Sequence, residues 1–211
     1  QILESKLEPL KGSINHYLDF GCGAGKSIVP ALGYINPRGM AVGVDISEKM
    51  IAIAIQESEK LKRSFPAVEL VFKKIEILNN QETIPVENGV MDFVTTSIVL
   101  QELDSLSLLS NAIGEIYRVT KNGGRFLAVC VSDKITCEDF TSFTYAPFPE
   151  NKDRQDNYRK CQGVDINIVW EHDYHWQKET LLEIFQNVGF SILSVVYPLA
   201  TKDVSPFPKH P

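Results

Sequence analysis

No apolar run in this chain approaches the roughly 18 residues needed to cross a bilayer. No charged-then-apolar signal segment opens it either. Positive charge is short: 21 Lys and Arg against 27 Asp and Glu leave a formal net charge of −6. A protein whose main partner is a phosphate backbone carries a broad positive field, so no nucleic-acid partner is expected. The four cysteines, Cys22, Cys130, Cys137 and Cys161, form no CxxC pair, which removes the usual zinc and redox motifs. Cys22 and Cys130 fall in segments expected to be buried, where a cysteine acts as a small hydrophobe. A reducing cytoplasm is the simplest compartment. Internal repeats and low-complexity tracts are also missing, and the tail after Ala200, with three prolines, reads as loop.

What remains is a chain of 211 residues, long enough for one well-cored domain and too short for two ordinary ones. Strand-like and helix-like stretches alternate, the mark of a parallel sheet covered by helices. Strands are expected at His16–Phe20, Met40–Asp45, Val68–Lys73, Val90–Ser97, Arg125–Val131 and Phe190–Pro198. After Ser47, a candidate N-cap, apolar residues at Ile51, Ala54, Ile55 and Leu61 follow a helical period. A second stripe runs from Leu106 to Val119, closed by Asn122-Gly123-Gly124, and a third from Leu181 to Val188, stopped by Gly189. Pro30 and Gly33 interrupt the helix expected after the first strand, which should be short or begin late.

Residues 132–176 break this rhythm, because αβ connections usually take about 2–6 residues. The segment carries Phe140, Phe143, Tyr145, Phe148, Tyr158, Trp170 and Trp176. An insertion at the carboxyl end of a sheet strand commonly covers a binding site. The chain is therefore read as one domain, 1–211, with 132–176 covering the substrate.

The chemistry-bearing signal is Tyr17-Leu18-Asp19-Phe20-Gly21-Cys22-Gly23-Ala24-Gly25-Lys26-Ser27. Glycines let the backbone turn tightly and approach a ligand, and the following helix start presents free N–H groups there. Asp45, ending the second strand, is placed to accept hydrogen bonds from ribose hydroxyls. A P-loop would need glycine at position 20, which is Phe. The nicotinamide dinucleotide fingerprint needs a third glycine at position 26, which is Lys.

YLDFGCGAGKS resembles motif I of the class I S-adenosylmethionine-dependent methyltransferases: an acidic residue, any residue, then G-x-G-x-G. VDISEKM (44–50), MDFV (91–94), TSIVLQEL (96–103) and EIYRVTKNGG (115–124) resemble that family's later segments, in the same order. The resemblance covers residues 14–131 and implies a Rossmann-like, doubly wound, mostly parallel α/β sheet. It also implies S-adenosyl-L-methionine as cofactor, with Asp19, Gly21, Cys22, Gly23 and Gly25 at the methionine end. Asp45 would then hold the ribose, with Ile46 and Met50 against the adenine, and Ile75, Ser97 and Ile98 completing the site. Lys74 stands where the family often has an acidic contact to the adenine amine, and Gln101 and Glu102 replace a frequent His pair. The family usually ends its sheet with a seventh, antiparallel strand. None is visible after Pro198 and few residues precede the first strand, so the sequence is expected to lack both natural ends.

Methyl transfer from a sulfonium needs alignment in a dry site, and a general base only for some acceptors. His172 and His175, in Glu171-His172-Asp173-Tyr174-His175-Trp176, are the candidate bases, since histidine titrates near neutrality. The alternative for each is a polar surface turn. No metal site is expected. The amino-group motif N/D-P-P-Y/F is missing after the fourth strand, as is a Pro-Cys nucleophile. The acidic charge and aromatic insertion point to a small apolar or aromatic acceptor. Quinone precursors, sterols and secondary metabolites all fit. RNA or protein substrates, and cofactor binding without turnover, stay as alternatives, and the sequence sets no oligomeric state.

Overall fold

The computed structural model describes residues 2–78, 81–130, 143–144, 162–163 and 176–197. Five strands, β1 (Ile14–Phe20), β2 (Ile35–Asp45), β3 (Glu69–Lys74), β4 (Met91–Ser97) and β5 (Thr120–Val129), form one sheet. Their spatial order is β3-β2-β1-β4-β5, and every pairing is parallel. Four helices accompany them: α1 (Ile2–Leu7), α2 (Glu48–Ser64), α3 (Leu106–Val119) and α4 (Lys178–Val188).

The sheet is covered on both faces, as parallel sheets are. Tyr17, Ala41, Leu70 and Phe93 enter one core with Ile28 and Leu32. Their strand neighbours Leu18, Val42 and Val94 point the other way, against Ala112 and Ile116 of α3. α2 starts as its sequence predicts, with Ser47 Oγ accepting from Met50 N at 3.3 Å. Ser105 caps α3 in the same manner through Leu108 N. α4 ends at Gly189, whose φ of 123° suits a residue without Cβ and whose N–H closes on Phe185 O and Gln186 O.

One expectation holds and two change. The broken helix after β1 is a 3₁₀ stretch, Val29–Tyr34, with Pro30 at its start, so its late and short form was legible. Asn122-Gly123-Gly124 does not close α3; it lies inside β5, where the register shifts between Met91 and Phe93. Gly123 takes φ +79° there, and a Cβ on Gly124 would meet Met91 O at 2.9 Å, so these glycines serve a strand irregularity. Phe190–Pro198 is expected as a strand, but residues 190–197 pair with no strand among the described residues. Leu193, Val195 and Val196 are exposed. A strand pattern becomes a strand only beside a hydrogen-bonding neighbour.

The chain leaves β1 for β2 on one side and enters β4 on the other. Their carboxyl ends therefore open a crevice where this class of sheet places ligands. His172, His175 and nearly all of 132–176 lie outside the described residues.

Candidate functional site

The turn after β1 has three left-handed glycines, with φ of +74° at Gly21, +51° at Gly23 and +81° at Gly25. Their surroundings differ. A Cβ on Gly21 would lie 2.3 Å from Val99 Cγ2, and one on Gly25 would press on Phe72 and Ala54 at 3.1–3.3 Å. A Cβ on Gly23 would meet nothing within 4 Å. Gly21 and Gly25 are needed for close packing, whereas Gly23 faces open space.

The turn is tied to the end of β2. Gly21 N and Cys22 N both donate to Val44 O, at 2.8 and 3.0 Å. Gly23 N donates to Asp45 Oδ2 at 2.9 Å, and Ser47 N donates to Asp45 Oδ1 at 2.8 Å. Asp45 thus holds the turn and the entry to α2 together. Each carboxylate oxygen keeps a further lone pair. Beside it, Ile46 and Met50 are large apolar side chains left 51% and 41% exposed.

Beneath the turn lies a buried polar network. Asp19 is 1% exposed; Ser27 Oγ donates to its Oδ2 at 2.5 Å and Thr95 Oγ1 to its Oδ1 at 2.8 Å. Tyr17 OH is 2.6 Å from Thr95 Oγ1. With the Thr95 proton on Asp19, the phenol is the donor in that pair. Burial pushes the Asp19 carboxyl up to about 6, against the lowering pull of Ser27 and Thr95 and with a small push from Asp45. Burial and the Asp19 charge also raise the Tyr17 phenol. The Cys22 thiol, pushed up to about 12 first by burial and then by Asp19 and Asp45, is held neutral. Gly43 leaves the room for it: a Cβ there would lie 2.8 Å from Cys22 Sγ and 2.7 Å from the Phe72 ring.

The opposite wall is the loop after β4. Ile98 has φ +58°, a strained conformation for a β-branched residue, and is 51% exposed. Its N–H donates to Val129 O at 2.8 Å. Among the described residues Gln101, 4% exposed, has no partner for Oε1 or Nε2, and Thr96 Oγ1 likewise has none. Leu100 O accepts from Trp176 Nε1 at 3.0 Å, which fixes the end of the 132–176 segment to this loop.

The structure therefore brings Gly21–Gly25 and Asp45 together and sets Ile46 and Met50 beside them. Asp19 supports the turn from below, its two oxygens already accepting hydroxyls. Ile75 is a core residue whose N–H donates to Asp45 O at 2.9 Å, leaving its carbonyl as the group to offer. Lys74 reaches instead to Glu48, at 3.7 Å, with both side chains exposed. Sequence reasoning missed Ser27, Thr95, Gly43, Phe72 and Val99 as supports. The one available signal was Thr95-Thr96 directly after the apolar Phe93-Val94 in β4. Among the described residues no three His, Cys, Asp or Glu side chains are grouped to hold a metal ion, and no helix is long and apolar enough to cross a membrane.

The residues fit S-adenosylmethionine: Gly23 leaves the backbone bare, Asp45 has acceptor capacity for ribose hydroxyls, and Ile46 and Met50 offer apolar surface for adenine. Comparison with known proteins agrees. The demethylmenaquinone methyltransferase of Lactococcus lactis subsp. lactis is 37% identical over 187 residues, 82% of this chain and 64% of that protein. The chain spans 28%, 42% and 64% of the lengths of three curated relatives it matches. A SAM-dependent methyltransferase structure from Methanosarcina mazei superposes with a TM-score of 0.63 at 20% identity, covering 93% of this chain and 90% of that one. The cyclase SpnF has the same fold at 21% identity and a TM-score of 0.59, covering 92% of this chain and 58% of its own. The methyltransferase-domain family profile matches residues 12–189, and the chain belongs to that family, the class I S-adenosylmethionine-dependent methyltransferases.

Proposed function

We propose that this protein transfers the methyl group of S-adenosylmethionine, in line, to a small apolar or aromatic acceptor. The observation that carries the cofactor half is the Asp45 carboxylate hydrogen-bonded to Gly23 N at the mouth of the crevice. The bound cofactor supplies an activated methyl on a sulfonium, and the chain supplies alignment and exclusion of water. Gly21–Gly25 cradle the methionine end, Asp45 accepts the ribose hydroxyls, and Ile46 and Met50 flank the adenine. Ser97, Ile98 and the Ile75 carbonyl complete the cofactor wall. His172 or His175 takes the acceptor's proton where one must leave, and residues 132–176 cover the acceptor.

Two observations support a small acceptor. The net charge of −6 disfavours a phosphate backbone, and the relative from Lactococcus lactis is a demethylmenaquinone methyltransferase. A quinone precursor is the acceptor class this favours. The buried, neutral Cys22 thiol suits a reducing cytoplasm. Because the cyclase SpnF has the same fold, fold alone does not carry turnover. Cofactor binding without methyl transfer is the second reading.

Calorimetric titration with S-adenosylhomocysteine and with NAD, on wild type and Asp45→Ala, tests the cofactor half. Binding of the first alone, lost in the variant, is expected; undiminished binding in Asp45→Ala would overturn it. A methyl-transfer screen over phenols, quinols, amines and carbon acids separates turnover from binding alone.

A further inference from the structure

We infer that the Gln101 carboxamide recognises the methyl acceptor, gripping two oxygens on adjacent ring carbons. This rests on the methyl-transfer reading above and extends it to a residue that reading does not use. Buried polar groups in folded proteins are almost always paired, and each unpaired one destabilises the fold. Among the described residues both ends of the Gln101 amide are unpaired while the residue is 4% exposed, so no described contact gives a reason for a polar side chain there.

Its setting points to a ligand. Gln101 lies in the loop whose Val99 packs onto Gly21 of the cofactor turn. Three residues before it, Ile98 is held in a left-handed conformation, a strain that a purely structural loop would shed by using glycine. Trp176 clamps the preceding carbonyl, Leu100 O, so the Gln101 backbone is fixed. A rigid loop with an unpaired donor and acceptor at the carboxyl end of β4 is a preorganised recognition element.

The two amide atoms sit side by side on one carbon, Oε1 accepting and Nε2 donating. They are matched together by a ligand that also offers a donor and an acceptor side by side. In an aromatic acceptor this is a vicinal diphenol, or a hydroxyl next to a quinone carbonyl. One hydroxyl donates to Oε1, and the neighbouring oxygen accepts from Nε2–H. A single ring hydroxyl, or two placed para, satisfies one end only.

The test compares wild type with Gln101→Met, which keeps the side-chain length and removes both polar atoms. Thermal melts, S-adenosylhomocysteine titration and anaerobic titration of the loaded protein with vicinal and para-dihydroxynaphthalene are measured. The expected result is an equal or higher Tm in the variant and cofactor affinity within twofold. Wild type should prefer the vicinal isomer, and its affinity for that isomer should fall tenfold or more in the variant. A Tm several degrees lower in Gln101→Met would make the residue structural and overturn the inference. So would equal binding of the vicinal isomer by both proteins, or no preference between isomers in wild type. Failure of wild type to bind S-adenosylhomocysteine would be a different result, overturning the cofactor reading and this inference with it.

Discussion

Gly23 N–H donates to Asp45 Oδ2 at 2.9 Å, so the middle glycine of the turn is held by the residue that ends the neighbouring strand. The other oxygen of the same carboxylate accepts from Ser47 N. Asp45→Asn keeps the size but replaces one accepting oxygen by an NH₂, so one of the two amides loses its partner. Charge-assisted hydrogen bonds of this kind are each worth about 1.5–3 kcal/mol. The expected outcome is a roughly ten- to hundredfold weaker Kd for S-adenosylhomocysteine by calorimetry, with a smaller loss of Tm. An unchanged Kd would mean that the carboxylate serves only the fold.

The glycines of the turn should separate packing from binding. Gly21→Ala adds a Cβ 2.3 Å from Val99 at a φ of +74°, so both strain and overlap oppose it. Gly23→Ala meets no atom and carries only the left-handed strain, about 1–2 kcal/mol. At roughly 2–4 °C per kcal/mol for a domain of this size, Gly23→Ala should melt a few degrees lower and Gly21→Ala lower still. Gly23→Ala should nevertheless lose at least tenfold in cofactor affinity, because its methyl enters the space left for the ligand. If that variant binds as wild type does, the cofactor does not lie on this turn.

Asp19 gives the molecule a pH dependence with a definite sign. Its carboxyl, raised from 3.8 to about 6 chiefly by burial, holds its proton more tightly folded than unfolded. Its contribution to stability is therefore fully present below about pH 4 and is lost as the pH climbs to about 6. Above that the buried charge costs on the order of 3 kcal/mol. Asp92 and Glu115 act oppositely. Burial works to raise both, but hydrogen bonds from Lys121, His16 and Asn15 to Asp92, and from Arg118 and Ile84 to Glu115, hold them below the ordinary range. Urea unfolding of wild type and Asp19→Asn between pH 4 and 7 cancels those shared contributions. The variant should gain stability relative to wild type across pH 4 to 6 and hold the gain at pH 7. A constant difference would show that Asp19 titrates normally.

How much of this was legible in the residues follows from what each pattern encodes. The five parallel strands could be read because burial on both faces of the sheet leaves continuous apolar runs such as Met40–Val44 and Phe93–Val94. The glycine turn and Asp45 were legible because backbone conformation and a lone strand-end carboxylate are local signals. The support network was not. Ser27 reaches Asp19 from only eight residues on, but Tyr17 and Asp19 meet Thr95 only after β1 and β4 pair, across 76–78 residues that no spacing rule specifies. The reading of Asn122-Gly123-Gly124 as a helix stop failed for a related reason. Glycine marks a break in regular backbone without saying whether a helix ends or a strand bulges.

The last prediction concerns the end of β4 away from the crevice, where Arg118 on α3 stitches the preceding loop in place. Its Nε and Nη2 donate to the two oxygens of Glu115, both at 2.7 Å. Nη2 also reaches Ile84 O at 2.8 Å, and Nη1 reaches Val86 O at 2.9 Å and Asn88 Oδ1 at 2.6 Å. Glu115 Oε2 in turn accepts from Ile84 N at 2.9 Å, so helix and loop are bound in both directions. A planar guanidinium makes these bonds in one geometry; an ammonium has three donors and no fork. Arg118→Lys should therefore leave two carbonyls unpaired and cost about 2–3 kcal/mol, a fall of roughly 4–12 °C in Tm. Glu115 would also lose the bidentate partner that lowers its pKa, so Arg118→Lys should lose less stability than wild type as the pH falls below about 4.5. Because this clamp lies at Met91 and the crevice at Ser97, S-adenosylhomocysteine affinity below the melt should stay within twofold of wild type. An affinity that falls in step with Tm would mean that the loop and the crevice share one cooperative unit, with β4 transmitting the loss.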